Sequence, residues 1–461
     1  MSEMADPAME YALSPLQEGM LFQWRVERSA GTDIEQIVGE LNESIDVQRL
    51  EHAWQRAVAS FSMLRTAFRW EGLERPLQHV VPHVPIAFVA EDLTALSLER
   101  AERRISDFLD ADRLEGFDLG RAPAMRVRLF QIAASHFRIV WTVHHILIDG
   151  RSFGAVLNHV FGTYDGLPVA HDDRPYREYI EWTERRDHAE ARAFWKTKLA
   201  GFHAPTPLPF DNPPAKGSAR LEERRVKFSM TVTQQLRDLA AREGLTLNTV
   251  LMAAWGLMLS RYAGETDVIF GATKSTRRGT IPGADSVAGL FLATVPVRLQ
   301  ADPQLSVLAW LRRVRDEWVS LRGQEHLPLV DIRAAGGVST PRLFDSLYVY
   351  EHRQFGSRLQ SQGGAWSSRH FDILHQSGFP LTLAAHGEDE LTLRLEGAGG
   401  RFHASTIELL VGQLTTLLTR WATDPTGQVR ESTMLSADER HNVLTAWNNT
   451  TTEYPRDRFI H

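Results

Sequence analysis

Between Leu50 and Phe61 the apolar side chains fall at Leu50, Trp54, Ala57, Val58 and Phe61, the three-to-four spacing that gathers them on one face of a helix. A helix start at Ser14 to Gln23 and strand-like runs around Ala30 to Leu41 precede it, and a strand, Thr66 to Trp70, follows. Two apolar runs, Met125 to Gln131 and Phe137 to Val143, flank the polar turn IAASH and predict an antiparallel hairpin. Helical spacing resumes from Ser152 to Tyr164, with Phe153, Val156, Leu157, Val160 and Phe161 inward. The second half predicts an amphipathic helix through Tyr179 to Leu199, a strand at Glu222 to Met230, helices at Thr231 to Arg242 and Thr246 to Tyr262, and strands at Asp267 to Ala272 and Thr294 to Leu299. The order is mixed and never repeats as βαβα, so the fold class is α/β of the mixed, α+β kind.

Punctuation divides the pattern. LPVAHDDRPYREY, beginning at Leu167, is the best candidate for a main boundary, and the prolines and glycine of PTPLPFDNPPAKGS forbid helix. The final WNNTTTEYPRDRFIH is poor in apolar residues and reads as a linker leading elsewhere. The expected organisation is a lobe over 1–170, a second of comparable make-up over 171–435, and a linker over 436–461.

Composition narrows the function. A chain of 461 residues is too long for one ordinary core, and 43% hydrophobic with 24% charged residues is globular. A net charge of -7, from 51 basic and 58 acidic residues, offers no footprint for nucleic acid. There is no cysteine, which removes disulfides, thiolate metal sites and a cysteine nucleophile together. MSEMADPAMEYALSP has no apolar run, and no stretch of the chain approaches the roughly 18 apolar residues of a membrane span, so a soluble cytoplasmic protein with no membrane partner is expected.

The chemistry concentrates in HHILIDGRSFG, His144 to Gly154, between a predicted strand and a predicted helix. From the left it offers a reactive histidine; from the right, GRSFG matches the G-x-S-x-G elbow of serine hydrolases, with Ser152 as nucleophile. The strand ends near His145, too early for a sharp elbow at Ser152, which reads instead as the N-cap of the following helix. Adjacent strand residues face opposite sides, so His144 and His145 do different work, with His144 structural. His and Asp four apart ligate zinc when both lie on a helix; here they straddle a strand end and lack a third ligand at matching spacing, so no metal is expected.

LSPLQEGMLF (Leu13 to Phe22), LRTAF (Leu64 to Phe68), VHHILIDGRS (Val143 to Ser152), YREYIEW (Tyr176 to Trp182), VAGLFLATVPVRL (Val287 to Leu299) and LFDSLYVYEH (Leu343 to His352) follow one another over almost the whole chain. In that order they resemble the motifs of the condensation domains of nonribosomal peptide synthetases. The ending, TAWNNTTTEYPRDRFIH, resembles the connector to a following adenylation domain. The resemblance implies two chloramphenicol-acetyltransferase-like lobes in a V, with the active site at their junction and a tunnel entered from opposite faces. It implies an acyltransferase that joins the acyl or peptidyl thioester of an upstream carrier protein to the amine on a downstream carrier protein. No cofactor binds for the chemistry, since phosphopantetheine arrives on the partners. It assigns the reaction to His145, with Asp149 paired to Arg298 and Gly150 either offering an amide to the thioester carbonyl or holding a conformation that only glycine tolerates. SPLQEGMLF and the PTPLPF loop look like domains that accept a D-configured donor.

Departures from the pattern bear on substrate. Arg151 stands where tryptophan is usual and His352 where an asparagine facing the active site is expected. SFSM (Ser60 to Met63) replaces an Arg-His start, Ala293 an asparagine, and Lys274 and Thr276 the valine and glycine of a GATVSGR-like stretch. An acyl-CoA donor, a hydroxyl acceptor giving an ester, a non-catalytic recruitment or gating domain, and a serine hydrolase acting through Ser152 are the alternatives.

Overall fold

The helix expected around Leu50 to Phe61 forms at Val47–Ser60, where Asp46 caps it by accepting the amide of Arg49, and Leu50, Trp54, Ala57 and Val58 are buried. It does so in a computed structural model that describes residues 10–26, 31–169, 174–209 and 221–450. Residues 1–9, 27–30 with the start of the expected run at Ala30, 170–173 of the expected boundary, 210–220 of the proline loop and 451–461 of the expected linker lie outside the described residues.

Two large sheets carry the architecture. The first has five strands in the order Arg369–Leu374, Ile34–Leu41, His136–His144, Met125–Ala133, Phe88–Asp92. Its centre is the predicted hairpin, paired antiparallel from Met125 opposite Val143 to Gln131 opposite Phe137. Helices Val47–Ser60 and Gly150–Asp165 pack against each other, and Trp54 meets Trp141 edge-on with ring centroids 5.1 Å apart. The second sheet has six strands in the order Leu292–Gln300, Asp267–Ser275, Ser346–Glu351, Leu381–His386, Thr392–Gly397, Glu222–Lys227. Helix Leu247–Ala263 is buried along most of its length in the core of that half, which explains why it is apolar all round.

The edge strand of the first sheet comes from the second half of the chain. Residues Arg369–Leu374 pair antiparallel with Ile34–Leu41, Arg369 opposite Leu41 and Leu374 opposite Gln36. Arg369 is buried and bonds Asp165 at 2.8 Å and Glu43 at 2.5 Å, with its guanidinium 4.4 Å from the centre of the Phe161 ring. Ile281, Val287, Leu290 and Phe291 also join the first core. A cut at residue 170 therefore crosses both a sheet and a core. No local pattern marks this, because an edge strand reads the same whichever sheet it joins.

The crossover strand fits closely over Gly39, where an added Cβ would lie 2.3 Å from the Phe371 ring and 2.7 Å from Ile139. Gly39→Val is expected to lower stability by about 1–3 kcal/mol through overpacking, measured by urea unfolding. An unchanged midpoint would mean that the strand gives way freely.

The single helix expected over Tyr179 to Leu199 is two, Arg177–Glu184 and His188–Lys198, because the side chain of Asp187 accepts the amides of Ala189 and Glu190 and starts a new helix. Part of the expected linker is helical, Ala437–His441, begun by a capping box between Ser436 and Glu439. Among the described residues no helix is long and apolar enough to cross a membrane.

Candidate active site at the junction of the two sheets

The strand His136–His144 ends on the first histidine, His145 follows it in the turn, and the hydrogen bonds of the two imidazoles call for opposite tautomers. The amide of Ile146 donates to Nδ1 of His144 at 3.2 Å, so the proton of that ring is on Nε2, which has no partner among the described residues. Burial pushes the His144 pKa down to about 3 and keeps the ring neutral. Nδ1 of His145 lies 2.8 Å from the carbonyl oxygen of Ile148. A carbonyl only accepts, so Nδ1 carries a proton, and in the neutral ring Nε2 is the nitrogen that holds the lone pair. The backbone amide of His145 donates to the carbonyl of Asp33 at 2.8 Å, fixing the ring from behind.

Nε2 of His145 faces a group that the motifs do not include. Glu35, buried in the neighbouring strand, places Oε1 at 4.0 Å from it and pairs with Nδ1 of His375, just beyond the crossover strand. Burial alone would raise the Glu35 pKa; the His375 and His145 rings outweigh it and hold it at about 2. His375 shifts upward, because the charge and hydrogen bond of Glu35 exceed the cost of burial. Asp33, with φ at 59°, is pushed up to about 6 by burial. The sequence carried a faint signal for Glu35, a charged side chain inside the apolar run IEQIV. It carried none for His375, which is 340 residues away in the chain.

Asp149 is the hinge of the loop, but its partner is not Arg298. Both Asp149 oxygens bond Nη2 of Arg277, at 2.8 and 2.9 Å, and both side chains are buried. Arg298 is on strand Leu292–Gln300 near the end that pairs with Asp267; its Nε lies 2.9 Å from Asp267 Oδ1 and its Nη1 reaches the carbonyls of Lys198 and Ala200. Arg277 instead follows strand Asp267–Ser275 at its opposite end, where residues 287–291 meet the histidine loop. It is the arginine that ends the stretch GATKSTR, so the partner of Asp149 comes from a different motif than the resemblance implied.

Ser152 is not the helix cap. Helix Gly150–Asp165 begins earlier, with Asp149 accepting the Ser152 amide at 2.9 Å, since a carboxylate at that position caps as well as a hydroxyl would. Ser152 Oγ is buried among Asp149 Oδ1, Arg277 Nη2, and the carbonyl and amide of Gly289, all within 2.8–3.0 Å. None of these partners is an imidazole, and the hydroxyl serves as a bolt between the two halves.

Gly150 adopts helical rather than positive φ, so the reading of a conformation only glycine tolerates does not apply. An added Cβ would meet Glu351 Oε1 at 3.8 Å, an ordinary contact, so packing does not demand glycine there either. His352, expected to face the site, is exposed, and Glu351 faces Gly150 instead, one residue earlier in a strand whose successive side chains alternate. Burial would raise the Glu351 pKa, and the His386 hydrogen bond and charge, with Arg358 and Arg394, hold it lower than usual. Arg151 is half exposed and reaches Asp285 at 3.4 Å, outside the cluster. Lys274 pairs with half-buried Glu325, Thr276 bonds the Tyr179 hydroxyl at 2.9 Å, and Ala293 packs in the second core. Among the described residues no group of three or more His, Cys, Asp or Glu side chains could hold a metal ion.

Two large sheets, the first completed by a strand from the second half of the chain and with a histidine loop bolted between them, form a two-lobed fold of the chloramphenicol-acetyltransferase-like class. The Condensation domain family model matches residues 8–444, and the chain belongs to that family. It is 36% identical over 461 residues to a component of the linear gramicidin synthase of Brevibacillus parabrevis, covering 98% of this chain and 6% of that protein. It is 29% identical over 462 residues to bacitracin synthase 3 of Bacillus licheniformis, covering 98% of this chain and 7% of that one. The chain thus spans a small part of the relatives it matches. Among solved structures, the starter condensation domain of rhizomide synthetase superimposes with a TM-score of 0.78 at 18% identity, over 92% of this chain and 97% of that one. The first condensation domain of the calcium-dependent antibiotic synthetase does so with a TM-score of 0.75 at 18% identity, over 94% and 100%.

Proposed function

We propose that this domain joins an acyl or peptidyl thioester, carried on the phosphopantetheine arm of an upstream carrier protein, to the amine of an aminoacyl thioester on a downstream carrier. The observation that carries the reading is the fixed tautomer of His145: Nδ1–H is held by Ile148, which leaves Nε2 as the basic atom at the junction of the two sheets. The amine nitrogen attacks the donor carbonyl carbon, the new C–N bond forms, and Nε2 takes the proton the nitrogen sheds. The C–S bond then breaks and the proton passes to the departing thiolate of the donor arm, so His145 ends as it began. The first-turn amide of Gly150 has no partner inside its helix, which supports its role as the donor that receives the carbonyl oxygen as it gains charge. No cofactor resident on this chain is required. The far greater length of the relatives supports further synthetase domains beside this one, among them the adenylation domain that the resemblance implies.

The test incubates the chain with both carriers loaded and weighs the acceptor carrier by intact-mass spectrometry; the condensed acyl-aminoacyl product on that carrier is the expected result. Acyl-CoA offered as competing donor and a hydroxy-acid acceptor separate the starter-type and ester-forming readings. No product from any donor and acceptor pair would favour the recruitment role. Ser152→Ala is expected to retain product and to form no less acyl-enzyme than the parent, because the parent forms none. An adduct on the parent that disappears in Ser152→Ala would restore the serine mechanism.

A further inference from the structure

We propose that Glu35 is the positioning carboxylate of His145, and that His375 controls how much of its charge His145 receives. This rests on His145 being the proton acceptor. When Nε2 takes the proton from the attacking amine, the ring becomes a cation, and the nearest carboxylate oxygen is Glu35 Oε1, 4.0 Å from that nitrogen in a buried setting where charges are weakly screened. Glu35 needs no proton shift to serve, since its own pKa of about 2 keeps it charged throughout the working range.

The same oxygen is also the partner of His375, whose ring stands nearly perpendicular to that of His145 with centroids 6.0 Å apart. One carboxylate thus faces two imidazoles. While His375 is protonated, part of the Glu35 charge is already matched; when His375 is neutral, His145 has it undivided. The surrounding titratable and charged groups are His144 on the same strand end, kept neutral by burial, Asp33 beside Glu35, Arg113 on helix Leu98–Glu115, and Glu396 and Arg394 on strand Thr392–Gly397, the last two acting on His375 with opposite signs. The crossover strand is what brings His375 to Glu35, so the electrostatics of the reacting histidine depend on a segment from the other half of the chain.

The test is the pH dependence of kcat/KM for Glu35→Gln, Glu35→Asp and His375→Gln with loaded carriers. Glu35→Gln removes the counter-charge, so the acid-side limb moves to lower pH by about one unit and kcat falls about tenfold, while KM for each carrier stays within about twofold. His375→Gln removes the competing cation and moves the limb to higher pH. Glu35→Asp keeps the charge and keeps the limb. A role in packing alone would lower activity in all three with the limb unmoved, and that result overturns the proposal. If Glu35→Gln does not fold, the direction seen in His375→Gln decides. Full activity in His145→Ala would instead overturn the underlying reading, whatever the limbs do.

Discussion

His145→Ala is expected to lower product formation with both carriers loaded by about 10²–10⁴-fold, the range a positioned general base contributes, and to leave the fold intact. The fold survives because the side chain is at the rim of the first core and its main structural bond, to the Ile148 carbonyl, lies on a loop otherwise fixed by Asp149 and Ser152. His144→Ala should behave in the opposite way. That ring is buried and neutral, receives the Ile146 amide and has no route to a substrate, so its loss costs stability and leaves the folded fraction active. Product formation per folded molecule, with thermal unfolding in parallel, separates the two. Equal loss of turnover in both variants, or full turnover in His145→Ala, would refute the division of labour between adjacent histidines.

What could be read from the sequence follows from what is local. The helix around Trp54, the hairpin before His144 and the helix after Gly150 are each fixed by the period of their own side chains, and the structure places them within a few residues of expectation. Near neighbours of the histidine loop are local too, although the cap falls on Asp149 rather than Ser152: the two are three apart, either can cap, and only the helix start decides. Arg277, Glu35 and His375 belong to another category. Each reaches the loop through pairings between distant segments, and a charged residue in a strand gives no sign of which ion will meet it. Arg298 and Arg277 mark the limit, because both lie on or beside paired strands and only the direction of the pairing places one at Asp267 and the other at Asp149.

Asp149→Asn is expected to be among the most destabilising single changes in this protein, at about 3–5 kcal/mol, although it removes one charge and almost no volume. Asparagine still caps a helix, so the Ser152 amide keeps an acceptor and the cap contributes little to the loss. The cost comes from Arg277, buried with the guanidinium against Phe291 at 4.3 Å and now without its counter-charge. Asp149→Ala should cost about 1 kcal/mol more, the worth of the cap itself. Arg277→Met removes the cation but strands the Asp149 carboxylate and the carbonyls of Ala284 and Val287 that Arg277 also serves, so it should be comparably damaging. Because the two single changes break the same pair, Asp149→Asn with Arg277→Met together should cost less than their sum, by about 1–3 kcal/mol. Urea unfolding of the parent, the two single variants and the double variant measures this coupling. Strict additivity would mean that the pair does not hold the histidine loop against the other half, and that Ser152 and Gly289 do so alone.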